Sequence, residues 1–160
     1  IGTYDNGLGY GNVSMRDGNT EEFTITGSQT GQNTHIDSSH ITRVSTYDFK
    51  KNTLTCIGPI QASSESLTHA ALYASDACIK AVIHIHHHML WQRLIDVFPT
   101  TPHSITYGTP ELAYAIKDLY ITHPHIKNDK IIVLGGHEDG LVSFGSTLEE
   151  AGVIMLNLFK

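Results

Sequence analysis

The sequence predicts an α/β fold with three layers, α/β/α, around a central and mostly antiparallel sheet. Three observations lead there. Short β-branched segments recur and are joined by tight turns, which favours antiparallel pairing. Three longer segments carry apolar residues at helical spacing and stand as separate blocks among the strands. A length of 160 residues at 40% hydrophobic content is enough for one domain with a sizeable core.

Val13–Arg16, Asp17-Gly18 and Phe23–Thr26 read as a hairpin whose turn is marked by Asp-Gly. Gly27–Gly31 reads as a flexible loop. Thr53–Ile57 is a short strand ended by Gly58-Pro59. After Ser63, the apolar residues Leu67, Ala70, Ala71 and Ala74 fit one helical face. Ala81–His86 is β-branched and alternates Ala81, Ile83 and Ile85 against Val82, His84 and His86. The next helix opens on Thr109 as N-cap with Pro110 in its first position, and aligns Leu112, Ala115, Ile116 and Leu119. Ile131–Leu134 is a buried strand with Leu141–Phe144 as hairpin partner. The last helix starts at a Thr147…Glu150 capping box and buries Ala151, Ile154, Met155 and Leu158.

Net charge is −6 and no Lys/Arg cluster occurs, so a nucleic-acid partner is not expected. No apolar run reaches the ~18 residues of a membrane span. The N-terminus is polar and Gly-rich, unlike a signal peptide. Cys56 and Cys78 form no metal motif and read as small buried residues of a reducing, cytoplasmic compartment. The chain begins at Ile1 without an initiator methionine, and its N-terminus is read as incomplete.

Histidines carry the chemistry. On a strand, His84 and His86 project to one face about 7 Å apart at the backbone, a spacing that can converge on one ion. A bare His-x-His also fits two satisfied polar residues on a solvated face. His137, in Gly135-Gly136-His137-Glu138-Asp139-Gly140 at the end of a buried strand, favours the ion. Three neutral imidazoles leave an open position, as in a catalytic zinc site. His87 points away from that face. His88 is a candidate fourth ligand if the strand continues, though a place behind the ligands or on the surface is expected. His35, His40, His103, His123 and His125 read as surface residues of loops.

Glu65 falls at the first turn of a helix capped by Ser63 or Ser64. There an acid is favoured by the helix dipole alone; beside a metal it could also act as a base. The same helix start, with Ser63 and Ser64, suits an anion. Asn12, Ser14 and the Thr-Gly steps between Thr26 and Gly31 add short donors, which together suggest a phosphate pocket.

In this order, Gly11-Asn12-Val13-Ser14, the Thr-Gly loop, Ser63-Ser64-Glu65, His84-x-His86, Gly108-Thr109-Pro110-Glu111-Leu112 and Gly136-His137 resemble the class II aldolase/adducin family, notably fuculose-phosphate aldolase-like proteins. The resemblance spans nearly all of residues 1–160 and implies one such domain, with the family's N-terminal helix missing. It implies zinc, or another divalent transition metal, on His84, His86 and His137. Asn12, Thr30, Gly31, Ser63 and Ser64 would hold a sugar phosphate, Thr30-Gly31 fitting the spacing better than Thr26-Gly27. Glu65 would move the proton at the carbon beside a metal-bound carbonyl. The implied function is a metal-dependent lyase, cleaving or forming a C–C bond in a small sugar phosphate or hydroxy-ketone through an enediolate. A homotetramer is implied as well. Ser104 stands near the place of the family's acid tyrosine, with Tyr107 three residues on, and the C-terminal tail is short. Alternatives are a dehydratase or epimerase using the same site, a non-catalytic adducin-like interaction module, and a metal site that only stabilises an oligomer.

Overall fold

The computed structural model describes residues 1–160. Two short strands, β1 (Gly2–Thr3) and β2 (Gly9–Tyr10), form a small N-terminal hairpin. β3 (Asn12–Arg16) and β4 (Phe23–Thr26) pair around the Asp17-Gly18 turn, as the sequence predicts. β5 (Ile41–Asp48) and β6 (Thr53–Ile57) complete one half of the sheet. Next come α1 (Ser66–Ser75), β7 (Ala81–His86), α2 (His88–Leu94), α3 (Pro110–Thr122) and α4 (Ile126–Asp129). β8 (Ile131–Val133), β9 (Gly140–Gly145) and α5 (Leu148–Asn157) end the chain. The seven-stranded sheet has the order β6-β5-β4-β3-β7-β9-β8, and every neighbouring pair is antiparallel.

Strand alternation divides the apolar residues between two cores. Phe23, Ile25, Val44, Val82, Ile132, Val142 and Phe144 pack with α1 and α3 residues such as Leu72, Leu112 and Ile116. On the opposite face Ile85, Val133 and Leu141 meet Leu90 and Leu94 of α2 and Met155 of α5. Over β3–β6 that second face stays open, with Met15, Arg43, Thr55 and Ile57 exposed. The three layers are therefore complete over the β7-β9-β8 half of the sheet.

β5 is the longest strand that the sequence reading misses, besides the two-residue β1 and β2. Thr42 and Val44 face inward, then a register shift between Val44 and Thr46 interrupts the two-residue period. α2 is also unforeseen: β7 ends at His86, and the His87 ring accepts a hydrogen bond from Leu90 N at 3.2 Å as N-cap. That ends the strand before His88, which lies outside the His84/His86 face and pairs with Asp139 instead (2.7 Å). Two helix starts behave as predicted. Thr109 Oγ1 accepts from Leu112 N, and Thr147 Oγ1 from Glu150 N at 3.0 Å. The return half of the Thr147…Glu150 capping box goes to Ser146 N, which donates to Glu150 Oε2.

The Gly27–Gly31 segment is a packed loop rather than a flexible one. Gly27 bridges to Ala62, and residues Thr30–Gln32 form a 3₁₀ turn. A Cβ on Gly31 would stand 2.1 Å from the Tyr10 carbonyl oxygen, so only glycine lets these two backbones touch.

Candidate metal centre

Three histidines converge where β7 and the β8–β9 connection meet. β7 presents His84 and His86 on one face, and His137 comes from the turn before β9. The turn is threaded tightly. Gly135 N donates to Thr101 Oγ1 at 3.1 Å, and a Cβ on Gly136 would lie 2.0 Å from the Ile105 carbonyl oxygen. Trp91 of α2 ties down the strand end, donating to the Leu134 carbonyl at 2.9 Å. One ligand atom from each histidine lies within 4.8 Å of the others.

The ring nitrogens are arranged for a cation. His84 is fully buried, and its Nδ1 lies 3.1 Å from the Leu141 carbonyl oxygen. A carbonyl only accepts, so the His84 proton sits on Nδ1 and its Nε2 lone pair faces the cluster. That Nε2 is 3.0 Å from His86 Nε2, close to the about 3.3 Å that separates two ligands of a tetrahedral zinc. Burial holds all three imidazoles neutral. His86 and His137 are pushed down to about 4, and His84 well below its ordinary value. Neutral imidazoles with a converging lone pair are a fitting donor set for a divalent transition metal.

Glu65 stands beside this cluster. It occupies the N-cap position of α1 itself, not the first turn, and no side chain caps that helix start. Ser63 and Ser64 precede the cap rather than forming it. Glu65 N donates to Ser63 Oγ at 3.3 Å, and Thr68 Oγ1 donates to Glu65 Oε2 at 2.9 Å. Glu65 Oε1 is buried without a partner, 3.9 Å from His137 Nδ1, also unpartnered. Burial pushes the carboxyl up to about 7, partly offset by the Thr68 hydroxyl.

A cavity of about 470 Å³ opens onto these groups. Asn12, Ser63, Ser64, Glu65, His84, His86 and His137 all line it. Asn12 Nδ2 donates to Ser63 Oγ at 2.9 Å across the β3–α1 junction. Thr30 and Gly31 do not reach the cavity, which corrects the choice between the two Thr-Gly steps. Thr30 Oγ1 is spent on the Gly27 carbonyl, and Gly31 is pressed against Tyr10. Gly27, Ser28 and Gln29 line the cavity instead. Ser104 is exposed and absent from the lining, whereas Tyr107 is present with its ring stacked on His137 at 4.6 Å. Two further tyrosines escape the sequence reading. Tyr4 Oη lies 2.6 Å from His86 Nδ1, and the Tyr10 ring rests 5.2 Å from the His86 ring. Their only sequence signal is aromatic residues close to Gly11-Asn12.

The family model for the class II aldolase and adducin N-terminal domain matches residues 6–158. Among solved structures, an L-fuculose 1-phosphate aldolase superposes with a TM-score of 0.70 at 23% identity, covering 96% of this chain and 72% of that one. An L-fuculose-1-phosphate aldolase from Thermus thermophilus gives 0.62 at 20%, covering 92% and 77%. A sugar-phosphate aldolase from Thermotoga maritima gives 0.66 at 15%, covering 94% and 82%. At these identities the likeness is one of fold. No curated protein matches the sequence.

Proposed function

We propose, from the premise that this chain belongs to the class II aldolase and adducin family, that it is a metal-dependent lyase. It would cleave or form a C–C bond in a small hydroxy-ketone or sugar phosphate. The observation that carries this reading is Glu65: a buried carboxyl with one free oxygen, raised to about 7, beside three converging imidazoles in a cavity wall.

His84, His86 and His137 would hold the ion, zinc or another divalent transition metal. When bound, such an ion polarises a substrate carbonyl and stabilises the negative charge that develops on the neighbouring oxygens. Glu65 then handles the proton. In the synthetic direction it takes the proton from the carbon next to that carbonyl, freeing the carbon to attack an aldehyde, whose oxygen takes up a proton from solvent. In the cleavage direction the hydroxyl proton goes to solvent as the C–C bond breaks, and Glu65 returns a proton to the same carbon. A carboxyl near 7 suits both tasks at neutral pH. Thr68 fixes its Oε2, which leaves Oε1 as the working atom. Asn12, Ser63, Ser64 and Ser28 supply neutral donors for a phosphate or hydroxyl oxygen on the far side. Tyr107, stacked over His137, borders the place of the second substrate half.

The proposal extends to residues 1–160 acting as one such domain, to assembly as a homotetramer and to a cytoplasmic location. No helix is long and apolar enough to cross a membrane. A dehydratase or epimerase reading uses the same site, whereas an adducin-like module would not need the three imidazoles kept together. The deciding experiment is a panel of phosphorylated and free hydroxy-ketones and aldols with the metal-loaded protein. Triose or aldehyde release supports the lyase; loss of water or stereochemical inversion without cleavage replaces it.

A further inference from the structure

Tyr4 sits on the turn between β1 and β2, yet its hydroxyl reaches 2.6 Å from Nδ1 of His86. The contact is built rather than incidental. Tyr4 and Tyr10 pack ring to ring at 4.5 Å, and both lie against His86, Tyr4 edge-on at 5.7 Å. Tyr10 is in turn fixed by its backbone contact with Gly31. The hairpin thus brings a phenol to the outer nitrogen of one prospective ligand.

The hydrogen bonds define what that phenol must do. The Leu141 carbonyl keeps the His84 proton on Nδ1, so His84 Nε2 can only accept. His86 Nε2, 3.0 Å away, must then carry a proton in the metal-free protein. His86 Nδ1 is consequently an acceptor, and Tyr4 O–H donates to it. To ligate through Nε2, His86 has to move its proton to Nδ1, and Tyr4 then has to accept. A hydroxyl can reverse roles in this way; the carbonyl behind His84 cannot.

We infer that Tyr4 is a positioning residue for His86, a reversible hydrogen-bond partner that lets this imidazole change tautomer on taking up the cation. The inference rests on the reading of the three histidines as a metal site. Tyr4→Phe keeps the ring stack and removes only the oxygen. Tyr10→Phe is the control, because its ring also rests on His86 while its hydroxyl makes no bond to it. Zinc affinity measured by chelator competition is expected to weaken about 10–100-fold in Tyr4→Phe and to stay at the wild-type value in Tyr10→Phe. In ¹⁵N spectra of the wild type, the His86 proton should shift from Nε2 to Nδ1 on zinc addition. That Nδ1 proton should exchange with solvent faster in Tyr4→Phe. Equal zinc affinity of Tyr4→Phe and wild type, or a His86 proton that stays on Nε2, overturns the role of Tyr4. A wild-type protein that takes up no zinc overturns the metal reading beneath it, a result distinguishable from either.

Discussion

Glu65 Oε1 lies 3.9 Å from His137 Nδ1, and neither atom has a hydrogen-bond partner although both are buried. The gap is too long for a hydrogen bond. Each orphaned polar atom costs about 1–3 kcal/mol when nothing meets it. Single orphans also occur on Asn12, Thr42, Tyr47 and His69, but here the fold bears two such costs side by side, on a prospective metal ligand and on a carboxyl raised to about 7. Such a concentration is what a ligand-binding site requires and what a purely structural helix start does not.

Replacing Glu65 by Gln keeps the shape and the Thr68 contact while removing the basic oxygen. The variant is expected to fold and bind metal as the wild type does. Its exchange of the proton next to a ketone carbonyl, followed by NMR in deuterated water, should fall by about 10²–10⁴-fold. Exchange at the wild-type rate would reduce Glu65 to a helix-start residue.

Removal of metal should separate catalysis from folding. The two hydrophobic cores lie on Phe23, Leu72, Ile116, Val142 and their neighbours and do not depend on the three histidines for packing. Chelation is therefore expected to leave the far-UV circular dichroism intact and to abolish turnover. Melting should shift down only by the linkage of a ligand that binds the folded state. His137→Ala should lose stoichiometric metal by elemental analysis. Unfolding on chelation would instead identify a structural ion.

Sequence and structure agree most closely where one local signal decides the outcome. The Asp17-Gly18 turn, the Thr109-Pro110 helix start and the β-branched Ala81–His86 run each follow from residues within a few positions. The His84/His86 pair follows from the same two-residue period, and the structure brings His137 beside it. Where several distant segments decide, the sequence is silent. β5 hides behind a bulge, and α2 begins on an unusual histidine cap. Nothing local says that Thr30 spends its hydroxyl on Gly27, or that Tyr4 folds back onto His86 from 82 positions away. Those facts depend on tertiary packing against the cavity.

Arg16 is a second place where a local reading falls short. It is buried without an acidic partner, and its guanidinium instead binds main-chain oxygens. Nε donates to Ile79 at 2.9 Å, and Nη2 to Asp76 at 3.0 Å and to Tyr73. It also lies 5.0 Å from the centre of the Tyr73 ring. One side chain thus fastens β3 to the end of α1 and to the connection into β7. Arg16→Ala should cost about 2–4 kcal/mol in urea unfolding, because several carbonyls lose a charged donor together. Arg16→Lys should recover only part of this, since an ammonium cannot reproduce the planar fork.

The behaviour of the metal-free protein in acid follows in large part from its buried neutral histidines, of which His69 is the one outside the three-histidine cluster. This residue is fully buried on α1, its Nδ1 lies 2.7 Å from Ser14 Oγ, and its Nε2 has no partner. Burial lowers it from 6.5 to about 3, so the folded chain keeps it neutral while the unfolded chain protonates below 6.5. The unfolded state then binds the extra proton, and stability must fall as pH drops through that window, by about 1.4 kcal/mol per pH unit for this one group. Glu65 has the opposite sign, because its raised carboxyl makes the folded state the better proton binder between 4.5 and about 7. Glu65 is common to both proteins in a comparison of wild type with His69→Gln, so its contribution cancels. Between pH 7 and pH 5 the wild type should lose roughly 2 kcal/mol more than His69→Gln in urea unfolding of the chelated proteins. Parallel curves for the two would show that His69 is protonated inside the fold, against the burial that surrounds it.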